Sequence, residues 1–144
     1  MILIVDASVA IKWFVREVLH DEALVLLDHP DRLQAPELIV PEFTNAAWKK
    51  CLREEITRKQ AQMIVAAVPR YVSVLYSISL DHERALEIAL LLKHPVYDCV
   101  YLACAERVGG IVVTTDRVLL RRVKNSPFAG LAAFLPDWVA AEGA

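Results

Sequence analysis

The sequence predicts an α/β fold built on a parallel sheet, and three observations predict it. Short branched runs, Ile2-Leu3-Ile4-Val5 and Ile111-Val112-Val113, are too brief for helices and read as strands buried on both faces. Stretches of helical periodicity separate such runs along the chain, as parallel strands joined by helical crossovers require. Both runs also lead into a carboxylate, Asp6 directly and Asp116 after Thr114-Thr115. Ligands of parallel sheets bind just beyond the carboxyl ends of the strands, so one acidic pocket is expected.

The elements follow in order. Behind the first strand, Ser8 is expected to cap a helix from Val9 to about Val15, its hydroxyl accepting a backbone N–H left unpaired at the helix start. Asp21 and Glu22 lead a second short helix, Ala23 to Asp28, with acids in the turn that the helix dipole favours. Leu33-Gln34-Ala35 reads as a brief strand closed by Pro36. Pro41 suits the first turn of a helix, where its missing N–H costs nothing, and that helix carries Glu42 and runs to about Leu52. Thr57 opens another helix through Ala67, and the two should form an antiparallel pair. Val74 to Leu80 reads as the third strand. Asp81 is the expected N-cap of a helix from Glu83 to Leu92, whose Ala85, Ile88, Ala89 and Leu92 share a face. A helix from Asp98 to about Val108, a Gly109-Gly110 turn and the strand to Thr114 come next. Val118 to Val123 forms a short basic helix, Phe128 to Leu135 carries a last short strand, and Pro136 starts a C-terminal helix. No repeat, low-complexity run or linker interrupts this, so a single domain over residues 1–144 is expected.

Composition narrows the function classes. The hydrophobic share of 56% exceeds what a soluble domain usually carries, which fits either a partner face or a generous core. No apolar run approaches the ~20 residues of a membrane span, and Asp6 cuts the N-terminal run too short for a signal peptide. A cytoplasmic protein without membrane contact is the expectation. A net charge of −2 gives no global case for a polyanion, so nucleic acid would have to be held by local basic clusters. Cys51, Cys99 and Cys104 show no CxxC spacing and read as reduced, packed thiols. His20, His29, His82 and His94 form no metal-binding pattern and receive no ligand role.

Four acids stand apart from the solvated ones: Asp6 and Asp116 at strand ends, Glu42 and Asp98 in the first turns of helices that return to the same sheet edge. Taken singly, each has a plain reading as a cap or a dipole partner. Converging carboxylates, however, repel one another unless a cation lies between them. An all-oxygen donor set selects Mg²⁺ or Mn²⁺ over zinc. Such ions keep waters and substrate phosphate as further ligands, and phosphodiester hydrolysis by a metal-activated water is the natural chemistry. A carboxylate can also take the proton from that water. Ser8 and Thr114 flank the acids and can support a carboxylate or a bound water.

The ordered set Ile4-Val5-Asp6-Ala7-Ser8, Pro41-Glu42-Phe43-Thr44-Asn45-Ala46, Tyr97-Asp98-Cys99-Val100-Tyr101-Leu102-Ala103 and Val113-Thr114-Thr115-Asp116 resembles the PIN-domain ribonucleases, most nearly the VapC-like toxins of toxin–antitoxin pairs. The likeness covers essentially the whole chain. It implies a three-layer α/β/α sandwich around the parallel sheet, and Mg²⁺- or Mn²⁺-dependent endoribonuclease activity. It further implies that Asp6, Glu42, Asp98 and Asp116 are the catalytic, metal-binding quartet, supported by Ser8, Asn45 and Thr114. A homodimer and a small antitoxin that wraps the helices are implied as partners, which would account for the apolar excess.

An RNA substrate needs cations. Lys12 and Arg16 follow Asp6, Lys49, Lys50 and Arg53 follow Glu42, and Arg117, Arg121, Arg122 and Lys124 follow Asp116. Most of these also fit ordinary solvated helix faces, and Trp13, Phe14 and Trp48 fit core or interface packing better than base stacking. Rival readings lack their residues. A phosphoacceptor receiver needs paired acids after the first strand and a late-strand lysine; a haloacid-dehalogenase-type phosphatase needs a second aspartate where Ser8 stands. Gly109-Gly110 makes neither a dinucleotide fingerprint nor a P-loop. The alternative from another class is a catalytically silent PIN-like module that binds RNA or protein.

Overall fold

Successive side chains of a strand point to opposite faces, and that alternation divides the apolar residues between two cores. Leu3 and Val5 of β1 (Leu3–Val5) enter one core with Val113, whereas Ile4 and Val112 enter the other. In the computed structural model, which describes residues 1–142, β1 is the middle strand of a five-stranded parallel sheet. With β2 (Leu33–Pro36), β3 (Val74–Tyr76), β4 (Ile111–Thr114) and β5 (Ala132–Phe134), the order is β3-β2-β1-β4-β5.

Helices cover both faces. Val9 of α1 (Ala7–Phe14), Leu26 of α2 (His20–Leu26), Phe43 of α3 (Ile39–Leu52) and Trp138 of α8 (Leu135–Glu142) fill the first core. Ile88 of α5 (His82–Leu92), Leu102 of α6 (Val96–Val108) and Leu119 of α7 (Arg117–Lys124) fill the second. This is the expected α/β/α sandwich. Helix α6 lies deepest: every residue from Cys99 to Ala105 is buried, as befits a helix with no polar stripe. The remaining helix, α4 (Arg58–Ala67), packs on α3 and buries none of its residues fully. Its Thr57–Gln60 capping box closes the N-terminus from both sides.

Several local expectations change. Ser8 does not cap the first helix; Asp6 does, accepting the Val9 N–H at 3.1 Å, and Ser8 sits within the first turn donating to the same carboxylate. A carboxylate one residue beyond the strand has the reach and charge to displace a hydroxyl inside the helix. The third strand stops at Tyr76, and Ile78–Leu80 turns into a 3₁₀ segment where Ser77 accepts the Ser79 N–H. The last strand is likewise short, Ala132–Phe134, with Ala129–Leu131 in a 3₁₀ turn. Asp81 stands at the start of α5 but caps nothing, because Arg107 holds both its oxygens at 2.7 and 3.0 Å. The buried charge goes to the partner that can satisfy it bidentately.

Connectivity fixes where the four acids lie. Helices α1, α3 and α7 each begin just after β1, β2 and β4, so their first turns sit at the carboxyl edge of the sheet. Helix α6 ends just before β4 and therefore starts at that same edge. In the order β3-β2-β1-β4-β5 the chain leaves β1 in opposite directions toward β2 and β4, so the β1–β4 pair is the topological switch point where such sheets bind ligands. Asp6 and Asp116 follow those two strands.

Candidate active site

Asp6, Glu42, Asp98 and Asp116 all line one open cleft of about 330 Å³, together with Ser8, Asn45, Lys49 and Tyr101. Four separate elements deliver the four acids, which is the convergence expected from their positions in the chain.

Each carboxylate is held by the protein through a different donor. Asp6 Oδ1 accepts from Ser8 Oγ at 2.6 Å and from the Val9 N–H, and Oδ2 accepts from Thr114 Oγ1 at 2.5 Å. Glu42 Oε1 accepts from Tyr101 Oη at 2.6 Å. Asp98 Oδ2 meets His94 Nε2 at 2.6 Å. Asp116 Oδ1 caps α7, accepting the Val118 and Leu119 N–H groups at 2.9 and 3.1 Å. Glu42 Oε2, Asp98 Oδ1 and Asp116 Oδ2 accept no hydrogen bond from the described residues. A carboxylate offers about four lone-pair positions, and the three donors on Asp6 leave about one there as well. Every acid is thus anchored and still has acceptor capacity to offer.

The electrostatics match that arrangement. Burial pushes the Asp6 carboxyl up; bonds from Ser8, Thr114 and Val9 pull it back, and the Asp98 charge raises it further. Burial also raises Glu42, Tyr101 opposes this, and the charges of Asp98 and Asp6 add to the rise. The Tyr101 phenol is held well above its ordinary range by burial and by Glu42, so it stays a donor. Asp6, Glu42 and Asp98 therefore lie close enough to repel one another.

No three His, Cys, Asp or Glu side chains among the described residues stand close enough to enclose a metal ion by themselves. The donor set nevertheless fits a hard divalent cation. All its ligands are oxygens, the carboxylates repel without a counter-charge, and Mg²⁺ characteristically takes few protein carboxylates and retains waters.

The supporting residues separate into those at the cleft and those elsewhere. Ser8 and Asn45 line it, and Thr114 lies fully buried behind Asp6. Of the basic candidates only Lys49 is on the cleft wall. Lys12 and Lys50 both bind Glu17, at 3.1 and 2.5 Å, tying the region after α1 to α3. Arg16 lines a different depression with Glu17 and His20. Arg117, Arg121 and Lys124 line a neighbouring cleft with Phe134 and Asp137, beginning one residue after Asp116. Arg122 is spent on the Leu92 and Lys93 carbonyls at the end of α5. Trp13 and Phe14 pack internally against Tyr71, while Trp48 is 56% exposed.

Sequence reasoning missed Tyr101 and His94. Tyr101 was legible, since a residue three after Asp98 shares its helix face. His94 was not, because it precedes the helix and matches no ligand spacing.

A PIN domain family model matches residues 3–125 of the chain. Ribonuclease VapC3 of Pyrobaculum aerophilum is 30% identical over 124 residues, spanning 85% of this chain and 95% of that protein. The crystal structure of PAE2754 from Pyrobaculum aerophilum superposes with a TM-score of 0.73 at 23% identity, covering 99% of this chain and 90% of the other. A chain of a toxin–antitoxin complex from Klebsiella pneumoniae superposes with a TM-score of 0.67 at 18% identity, covering 92% and 97%. At those identities the two structures speak for the fold.

Proposed function

The chain belongs to the PIN-domain family, and from that premise we propose that it is a divalent-metal-dependent endoribonuclease of the VapC type, the toxin of a toxin–antitoxin pair, acting as one domain over residues 1–144. The observation that carries the reading is the single cleft at the switch point into which four anchored carboxylates open. That the similar Pyrobaculum protein is named a ribonuclease supports RNA as the substrate.

Asp6, Asp98 and Asp116, with Glu42, would hold Mg²⁺ or Mn²⁺. When bound, the ion supplies an acidified water and charge neutralisation for the phosphate. The chain does the rest. Ser8, Thr114 and the Val9 N–H keep Asp6 rigid, and Tyr101 fixes Glu42 through Oε1, leaving Oε2 to accept the water's proton. Lys49, the cation on the cleft wall, meets the phosphate of a seated strand, and Asn45 offers an amide from the same wall. The stripe Arg117, Arg121 and Lys124, spaced at four and three residues along α7, continues the cationic path.

The partner surfaces fit the same reading. An apolar groove of about 390 Å³ between α3 and α4 is lined by Trp48, Leu52, Ala61 and Val65, and would take the antitoxin. Leu86, Leu90 and Leu91 on α5 and Tyr97 on α6 are exposed apolar side chains that a homodimer would cover. No single helix among the described residues is long and apolar enough to cross a membrane.

The test is direct. RNA incubated with the protein should be cut only with added Mg²⁺ or Mn²⁺, and Asp6→Asn and Asp98→Asn should abolish cutting while circular dichroism stays unchanged. Cleavage that persists in both variants, or no cleavage of any RNA with metal present, would overturn the reading in favour of a silent binding module.

A further inference from the structure

Among the anchors of the four acids, one comes from outside the helices and strands. His94 lies in the short link between Lys93 and Pro95, 8% exposed, and is absent from the cleft wall. Its Nε2 meets Asp98 Oδ2 at 2.6 Å. An ionised carboxylate accepts and never donates, so toward an ionised Asp98 the imidazole serves as donor through Nε2.

The link is built to hold the imidazole in place. The His94 N–H donates to Ala89 O at the end of α5, and its carbonyl accepts the Cys99 thiol at 3.9 Å from α6. Arg122 reaches across from α7 to the carbonyls of Leu92 and Lys93. Lys93 itself sits at φ 55°, the left-handed region that a lysine adopts at a cost. It is the left-handed residue that closes α5, its N–H bonded to Ala89 O, and so it turns the chain into the link. Two helices thus hold the backbone of His94, a third braces the residues just before it, and the only side-chain hydrogen-bond partner of its imidazole among the described residues is a carboxylate of the cleft.

We infer that His94 is a positioning residue: it occupies Asp98 Oδ2 from behind and so reserves Oδ1 for the metal ion. The inference rests on the metal-dependent reading above and deepens it. Without the imidazole, the Asp98 side chain is free to rotate, and its two oxygens compete for the same task. Partners of this kind behind metal ligands characteristically change affinity by about 10–100-fold.

Mn²⁺ affinity of the purified full chain, read by electron paramagnetic resonance of the free ion, separates the possibilities. His94→Leu fills the space without a donor, whereas His94→Gln places an amide N–H near the position of Nε2. The expected result is a Mn²⁺ dissociation constant raised about tenfold or more in His94→Leu and largely restored in His94→Gln, with both melting temperatures close together. Equal affinities in the wild type and His94→Leu, or a His94→Gln as weak as His94→Leu, would overturn the inference and leave the metal reading standing. A wild type that shows no saturable Mn²⁺ binding, or binding that Asp98→Asn leaves intact, would sink the metal reading itself. Where His94→Leu fails to fold, the comparison of wild type with His94→Gln and His94→Asn decides. Asn cannot reach from that backbone position as Gln does, so a ranking of Gln above Asn supports the inference and equal values overturn it.

Discussion

Thr114 Oγ1 donates to Asp6 Oδ2 at 2.5 Å, joining the ends of β4 and β1 across 108 residues of sequence. Both residues are buried at the switch point of the sheet, so this bond fixes one oxygen of Asp6 while Ser8 and the Val9 N–H fix the other. The same hydroxyl accepts the Asp116 N–H at 3.0 Å, so a second acid depends on it as well.

Thr114→Val keeps the shape and removes both bonds. Loss of a hydrogen bond to a buried charged group costs about 1.5–3 kcal/mol, and displacement of a supporting residue lowers metal-dependent activity by about 10–100-fold. Thr114→Ser should recover most of the activity. Melting temperature and RNA cleavage rate, measured on both variants, check this; a Val variant with wild-type activity would remove Thr114 from the site.

The contribution of Asp6 and Glu42 to metal-free stability should fall as pH rises through the acid range. Burial, followed for Glu42 by the charges of Asp98 and Asp6, holds the Asp6 and Glu42 carboxyls above their unfolded values. The folded chain therefore binds their protons more tightly than the unfolded chain does. Their contribution is most favourable below the ordinary carboxylate range and is lost as pH climbs through the raised values. A divalent ion reverses the penalty: at a hundredfold excess over its dissociation constant it adds about 2.7 kcal/mol. Thermal melts at a series of pH values, with and without Mg²⁺, should show a metal-induced rise that grows with pH and is absent from Asp98→Asn. A rise of equal size at every pH, or one retained in Asp98→Asn, contradicts the assignment.

RNA binding should depend on α7 more than on α1. Arg121 and Lys124 line the cleft that begins beside Asp116, whereas Glu17 already engages Lys12. Arg121→Ala with Lys124→Ala should flatten the salt dependence of single-stranded RNA binding by about 0.7 for each phosphate left without its cation. Lys12→Ala should leave that slope unchanged and instead weaken the link that Glu17 makes to α3. Binding titrations between low and moderate salt distinguish them, and the reverse ranking would move the RNA path to α1.

How far the sequence carried this follows from which forces act locally. The strands around Asp6 and Thr114 were legible because a short apolar run ending in a carboxylate needs no partner to be recognised. The convergence of the acids was legible for a related reason, since helices joined directly to parallel strands start or finish at known edges. Val74 to Leu80 failed because its apolar alternation continues past Tyr76, while the Ser77 hydroxyl bends the backbone out of the sheet. Asp81 failed for want of a distant partner, Arg107 lying 26 residues on, and His94 failed because its partner Asp98, four residues on, lies across the start of α6. Local chemistry offered Asp81 a cap role and His94 none, and contacts in the folded chain assigned both.

The glycine pair behind α6 has two different tasks, only one of which is turning the chain. Gly109 ends the helix at φ 70°, where an alanine would be strained by about 1–2 kcal/mol. Gly110 is limited by space: a Cβ there would lie 2.6 Å from the Ile2 carbonyl oxygen, next to the register that pairs Leu3 with Ile111. That contact is with backbone and cannot yield by a side-chain rotation, so β1 and β4 would have to part at their first residues. Gly110→Ala should therefore destabilise the protein more than Gly109→Ala does. Because β1 leads directly into Asp6 and β4 ends on Thr114, it should lower activity beyond what the drop in folded protein explains. Chemical denaturation of both variants, with cleavage rates measured well below the unfolding midpoint, checks the order. Gly109→Ala proving the more damaging of the two would mean that the turn, and not the strand contact, is the constraint.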